Sequence, residues 1–336
     1  MTTAVHAARD ATRHRVAWRR ASLAVTGATL AVLVWHVGTG PFLDGLGAVD
    51  GGALAAGSGL VLLTTGCCAW RWRIVARGLG ADLPLGTAVA AYYRSQFLNV
   101  TLPGGVVGDV HRGISHGRET SDIGRGLRAV AWERSAGQAV QVVLTVAVLL
   151  VVPSPVQPDM PLVALALLVA TACVALAARV RTAPARSPVA RLRRAVVRDV
   201  RDGLLAGRAW AAVALASALV VVGQAVTFVI AARTAGATAP LSQMLPLALL
   251  VLLAAALPNV AGWGPREGVT AWAFAAGGLG ASLGVATAVV YGVMVFVATL
   301  PGAAVLAAAW VGRARSERRL ERPLASFGDR DGAPDG

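Results

Sequence analysis

Tyr92-Tyr93-Arg94-Ser95-Gln96-Phe97-Leu98-Asn99-Val100-Thr101-Leu102-Pro103-Gly104-Gly105-Val106-Val107-Gly108-Asp109-Val110-His111-Arg112 belongs to an apolar stretch at about 84–108, interrupted by Pro103-Gly104-Gly105 and followed by charge. Pro103 brings no amide hydrogen, and the glycines permit backbone angles that other residues resist. In lipid, the amides and carbonyls freed by such a break must be satisfied by neighbouring helices, water or a ligand. A helix restarting beyond it would offer N–H groups and a positive dipole end to an anion. Arg94, Asn99, Thr101 and Arg112 add polar groups nearby, and Asp109 lies close by in sequence. The plainer alternative is a tight turn whose arginines hold interfacial phosphates.

Composition sets that stretch in a membrane. Of 336 residues, 56% are hydrophobic and 14% charged, with a mean hydropathy of +0.64. Soluble domains carry about 25% charged residues, so an ordinary water-soluble enzyme is excluded, and so is a disordered chain. The net charge of +14 comes from arginine alone, without a single lysine, a bias that looks like GC-rich coding. The arginines fall in blocks between apolar runs, as the positive-inside rule predicts, rather than on a nucleic-acid surface. Cys67, Cys68 and Cys173 lie in apolar runs without metal-ligand spacing and read as buried free thiols.

Runs near the roughly 20 residues needed to cross a bilayer occur at about 21–38, 51–70, 130–152, 161–178, 210–232 and 284–311. The first, behind five arginines in 1–20, reads as an uncleaved span. Basic blocks at 1–20, 71–83, 109–128, 179–208 and in the tail 313–336 place those segments in the cytoplasm. The loops near 39–50 and 153–160 carry no arginine. Both ends of 84–128 are then cytoplasmic and both ends of 233–283 external, so each must cross an even number of times or re-enter. The expectation is an all-α polytopic protein with about six full spans and two broken, re-entrant helical hairpins. Two ordinary pairs of short spans are the alternative.

The broken stretches, 84–108 and 241–280, occupy matching places in two units, about 51–152 and 210–311, joined by the 161–178 span. Leu102-Pro103 and Leu257-Pro258 are 155 residues apart, as are Gly113 and Gly268. One linking span turns the second unit upside down, so an inverted repeat within a transmembrane domain 21–312 is expected. Interrupted segments at corresponding places in two halves point to a transporter binding site.

Two further motifs carry charge. Trp132-Glu133-Arg134 stands at the mouth of the 130–152 span. Adjacent helical residues point about 100° apart, so Glu133 and Arg134 need separate partners, with Arg112 or Arg94 open to Glu133. Gln138 and Gln141 could extend a polar face. Leu257-Pro258-Asn259-Val260-Ala261-Gly262-Trp263-Gly264-Pro265-Arg266-Glu267-Gly268 reads as the inner tip of the second hairpin. Intramembrane Arg266 and Glu267 are then functional candidates, and Asn259 and Pro265 suit helix ends meeting there. The alternative is a surface ion pair in an external loop. His111, His116 and Asp109 lack further ligands at metal spacing, so no metal or other cofactor is expected. No phosphate-binding loop or dinucleotide fingerprint occurs. Catalytic residues are therefore not assigned.

In these motifs, in this order, the chain resembles the lysylphosphatidylglycerol synthase transmembrane-region family, whose members are often called flippase-like. The resemblance runs over roughly 20–312, with Val107 and Pro265 as departures from the family pattern. It implies a fold with re-entrant hairpins that moves anionic, aminoacylated or polyprenyl-linked lipid between leaflets of the bacterial inner membrane. Arg94, Asn99, Pro103, Gly104, Gly105, Asp109, Arg112, Glu133, Arg134, Asn259, Arg266 and Glu267 are the expected substrate-binding residues. The tail 313–336 is too short for the aminoacyl-transferase domain of bifunctional members, so lipid lysinylation is not expected. Two other readings stay open: a non-catalytic partner of a separate synthase or glycosyltransferase, and a membrane-embedded enzyme acting on a lipid-linked substrate.

Overall fold

The computed structural model describes residues 28, 31–32, 34–102, 105–179, 194–204, 207–255 and 264–321. Pro103, Gly104 and Asn259, the segment 1–20 and most of the 21–38 run lie outside them, as do much of the 179–208 loop and the end of the tail. All the regular structure described is helical. Helix α1 (Gly40–Gly47) occupies the expected 39–50 loop, started by Pro41 in its first turn. Helix α2 (Gly51–Gly78) is capped by Asp50, whose carboxylate accepts the Ala53 N–H at 2.8 Å. Helices α3 (Leu85–Thr101) and α4 (Val107–Glu119) flank the first break. Leu102 is extended (φ −102°, ψ 146°), as the residue before a proline prefers to be.

Helix α5 (Ile123–Val151) starts earlier than its apolar run because Asp122 caps it, accepting the Arg125 N–H at 2.8 Å. A 3-10 turn leads into α6 (Met160–Arg179), and a π-helical turn at Asp199–Leu204 precedes α7 (Ala209–Thr234). Helices α8 (Leu241–Ala254) and α9 (Pro265–Ala276) flank the second break, and α10 is Ala281–Glu321. Helix α10 runs ten residues past the expected end of the last span, and Pro323 lies just beyond its end. Arginine and glutamate are good helix formers and carry it on.

The protein is an all-helical, polytopic membrane protein. Among the described residues, four helices, α2, α5, α7 and the Ala281–Val311 part of α10, are long and apolar enough to cross a bilayer. Helices α3, α4, α8 and α9 have 17, 13, 14 and 12 residues. At about 1.5 Å per residue each falls short of a hydrocarbon core about 30 Å thick.

The order long, short, short, long therefore occurs twice. Exchanging α2 with α7, α3 with α8, α4 with α9 and α5 with α10 turns one set of packed pairs into the other. Thus α4 packs on α5 as α9 packs on α10, α3 on α10 as α8 on α5, and α2 on α10 as α7 on α5, while α2 and α7 pack on each other. Two cores result. Trp72, Ala88, Tyr92, Ala129 and Val220 fill the first, and Phe228, Met244, Leu247, Phe274, Tyr291 and Met294 the second.

Candidate functional site

Helix α5 carries Glu133 into the seam between α2 and α4. Its side chain is fully buried. Oε1 accepts from Arg71 Nε at 2.9 Å and Nη2 at 2.5 Å, and from the Tyr92 hydroxyl at 3.4 Å. Oε2 accepts from Arg112 Nη2 at 3.1 Å. One residue on, Arg134 points elsewhere and pairs with Asp109 Oδ2, so the 100° stagger does separate the two side chains.

Asp109 is the second node. Its Oδ1 accepts from the Ser95 hydroxyl at 3.0 Å and Arg112 Nη2 at 2.9 Å, and its Oδ2 from Asn99 Nδ2 at 2.9 Å. Asn99 also accepts the Gly108 N–H at 2.7 Å, clamping the end of α3 to the start of α4. Gly108 permits that approach, because a Cβ there would collide with the Ser95 carbonyl. Arg112 is 1% exposed, with its guanidinium carbon 4.4 Å from the centroid of Trp72 and 4.1 Å from that of Tyr92. Three arginines and two carboxylates thus form one network with an excess positive charge, buried except at Arg134, whose side chain is 45% exposed.

In the second unit Glu267 is fully buried, and Arg266 donates to its Oε1 through Nε (3.0 Å) and Nη2 (2.5 Å). Glu267 Oε2 accepts the Gly264 N–H at 2.6 Å, and the Arg266 guanidinium lies 5.2 Å from the Tyr291 ring centroid. Neither side chain belongs to a surface ion pair. At both breaks the chain's own side chain takes an amide at the restarting helix.

Guanidinium groups face a cavity of about 280 Å³ between the two units. Arg71, Arg134 and Arg266 line it together with Gln96, Gln138, Gln141 and Gln224, and among the described residues no Asp or Glu does. Gln141 is buried and its Nε2 has no hydrogen-bond partner.

The expected residues divide accordingly. Asn99, Gly105, Arg134 and Arg266 line the cavity, while Asp109, Glu133 and Glu267 hold its cations from behind and Arg112 ties Asp109 to Glu133. Arg94 faces a different chamber, and Thr101 is spent on the Phe97 carbonyl at 2.7 Å. Arg71, read only as part of a basic block, is the residue missed. It shares a buried helix face with Cys68, Trp72 and Val75, whereas Arg73, two residues on, points away to the Leu83 carbonyl. Helical periodicity within that block holds the signal. Arg71 Nη1 also donates to Ser217 at 3.0 Å, joining the first unit to α7.

Fold and site define a polytopic membrane protein with a guanidinium-lined cavity between two similarly built helical units. Residues 20–302 match the lysylphosphatidylglycerol synthase TM region, and the chain belongs to that family. No match was found among curated proteins.

Proposed function

We propose that the protein carries an anionic, aminoacylated or polyprenyl-linked lipid between leaflets of the bacterial inner membrane, passing the head group through the central cavity. The observation that carries this reading is a cavity whose lining, among the described residues, includes three arginines and no carboxylate. Small-molecule sites run from about 300 to 1,000 Å³, so the cavity suits a head group but not acyl chains, which would stay in lipid. Charge-assisted hydrogen bonds from guanidinium groups suit phosphate oxygens, and they strengthen where water is scarce.

The short helices support re-entrant hairpins, and the α6 linker supports inversion of the second unit relative to the first, with both termini in the cytoplasm. Alternating access would then be one unit rocking against the other. Binding and transport fit the site better than catalysis, because Asp109 and Glu133 are each tied to two guanidinium groups and are poorly placed to shuttle protons.

The test is movement of a fluorescent anionic phospholipid between leaflets of proteoliposomes. Wild type should accelerate it, and Arg134→Gln and Arg266→Gln should slow it severely. Folded variants that move lipid as fast as wild type would refute the site. A wild type no faster than empty liposomes, with anionic, aminoacylated and polyprenyl lipids alike, would refute the function.

A further inference from the structure

A second, smaller chamber of about 120 Å³ lies on the far side of Arg112, between α2, α3 and α4 and against Val305 of α10. Its inner wall is built from Trp72, Arg112 and His116, none more than 2% exposed. The Trp72 Nε1, the Arg112 Nε and Nη1 and both ring nitrogens of His116 have no hydrogen-bond partner. Arg112 therefore serves two rooms. Its Nη2 is held by Asp109 and Glu133, while Nε and Nη1 remain unspent. Ser115 and exposed Thr87 add hydroxyls, half-buried Arg94 and exposed Glu119 add charge, and the rest of the lining is apolar.

The inventory is one-sided. Indole and guanidinium nitrogens only donate, and imidazole donates through one nitrogen when neutral and both when charged. Buried donors demand acceptors. Water supplies acceptor lone pairs but brings two hydrogens of its own, and beside the buried wall only the Ser115 and Thr87 hydroxyls, one His116 nitrogen and the exposed Glu119 carboxylate could receive them. A group made of acceptor oxygens answers the wall without that difficulty. Across the network and the chamber, Arg71, Arg94, Arg112 and Arg134 stand against Asp109, Glu119 and Glu133, so one positive charge is left over.

We propose that this chamber is a second oxyanion site, distinct from the central cavity, which holds a phosphoryl group against Trp72, Arg112 and His116. The ligand is a phosphate, free or on a lipid head group, and the assignment does not depend on transport.

The experiment is equilibrium dialysis of the full chain in detergent against radiolabelled inorganic phosphate and, separately, a water-soluble short-chain phosphatidate. It is done in an Arg134→Gln background, where the two remaining cavity-lining arginines are each held by a glutamate. One probe should still bind, one per chain. Adding Trp72→Phe, which keeps a ring beneath Arg112, or His116→Phe, which keeps the edge contact to Trp72, should weaken that binding about tenfold or more. Binding of inorganic phosphate identifies a free-anion site, and binding of the phosphatidate alone a lipid site. No binding of either probe overturns the proposal. So does binding that both added substitutions leave within about twofold while the chains remain folded and monodisperse. If one variant does not fold, the other decides.

Discussion

Glu133→Gln keeps the shape of a fully buried side chain and removes its charge. The amide has one acceptor oxygen where the carboxylate had two, and its NH2 would meet a guanidinium, donor against donor. Arg71, now 2.9 and 2.5 Å from Oε1, and Arg112, 3.1 Å from Oε2, would lose their shared counter-charge. Asp109 alone would then face three arginines. Breaking a buried ion pair from one side costs about 3–5 kcal/mol, and that is the expected loss of stability. Removing one stranded cation as well, in Glu133→Gln/Arg71→Met, should return at least about 1 kcal/mol, because the two residues share one interaction. The assay is unfolding of the purified chain in mixed micelles of mild detergent and SDS, followed by tryptophan fluorescence. A single variant within about 0.5 kcal/mol of wild type, the range of inconsequential surface changes, would refute the account of Glu133 as the network's counter-charge. Strictly additive losses in the double variant would refute its coupling to Arg71.

Gly137→Ala should disturb the same network from outside, since a Cβ there would lie 2.6 Å from Arg71 Nη1. A loss of about 1–3 kcal/mol, as for overpacking, is expected in the same unfolding assay, and an unchanged curve would show that Arg71 can move aside. Asp199 accepts from Arg128 Nε at 2.8 Å and from Trp132 Nε1 at 3.1 Å. Asp199→Ala should therefore raise hydrogen exchange in the 199–204 turn while leaving α7 protected. At the turn after α2, the Arg77 guanidinium donates to Asp82 at 2.9 Å and holds its carboxyl below the usual 3.8. A depressed folded-state value means that this contact is fully present above the ordinary carboxylate range and fades as pH falls through the lowered one. Arg77→Gln should move the Asp82 titration, followed by carboxyl NMR, back up towards 3.8.

The sequence made the two breaks and their setting readable because proline and glycine act locally. Pro103-Gly104-Gly105 lies between α3 and α4, and Pro265 opens α9; such residues weaken a helix without forbidding it, since Pro246 and Pro301 lie inside α8 and α10. The pairing of Glu133 with Arg112 was readable for a similar reason: a buried carboxylate needs a cation, and few were near. Arg71 was hidden because arginines beyond a span have a sufficient explanation in topology. Only the packing of α2 against α5 and α7 turns that one into the seam. Arg94 shares the first motif with Asn99 yet faces another chamber, a direction set by tertiary packing. Glu267 pairs with its immediate neighbour Arg266 because it also caps its own helix, which brings its carboxylate back along the chain.

Every cation in the buried network is a guanidinium, and guanidinium does not lose its proton in proteins. Arg71, Arg112 and Arg134 are therefore fixed points of the local field, whatever the pH on either side of the membrane. Among the five charged side chains of that network, only Asp109 and Glu133 can change charge. A proton arriving at either one would loosen two arginines at once and deepen the positive potential of the cavity. An arriving anion would compete with the same carboxylates for the same arginines.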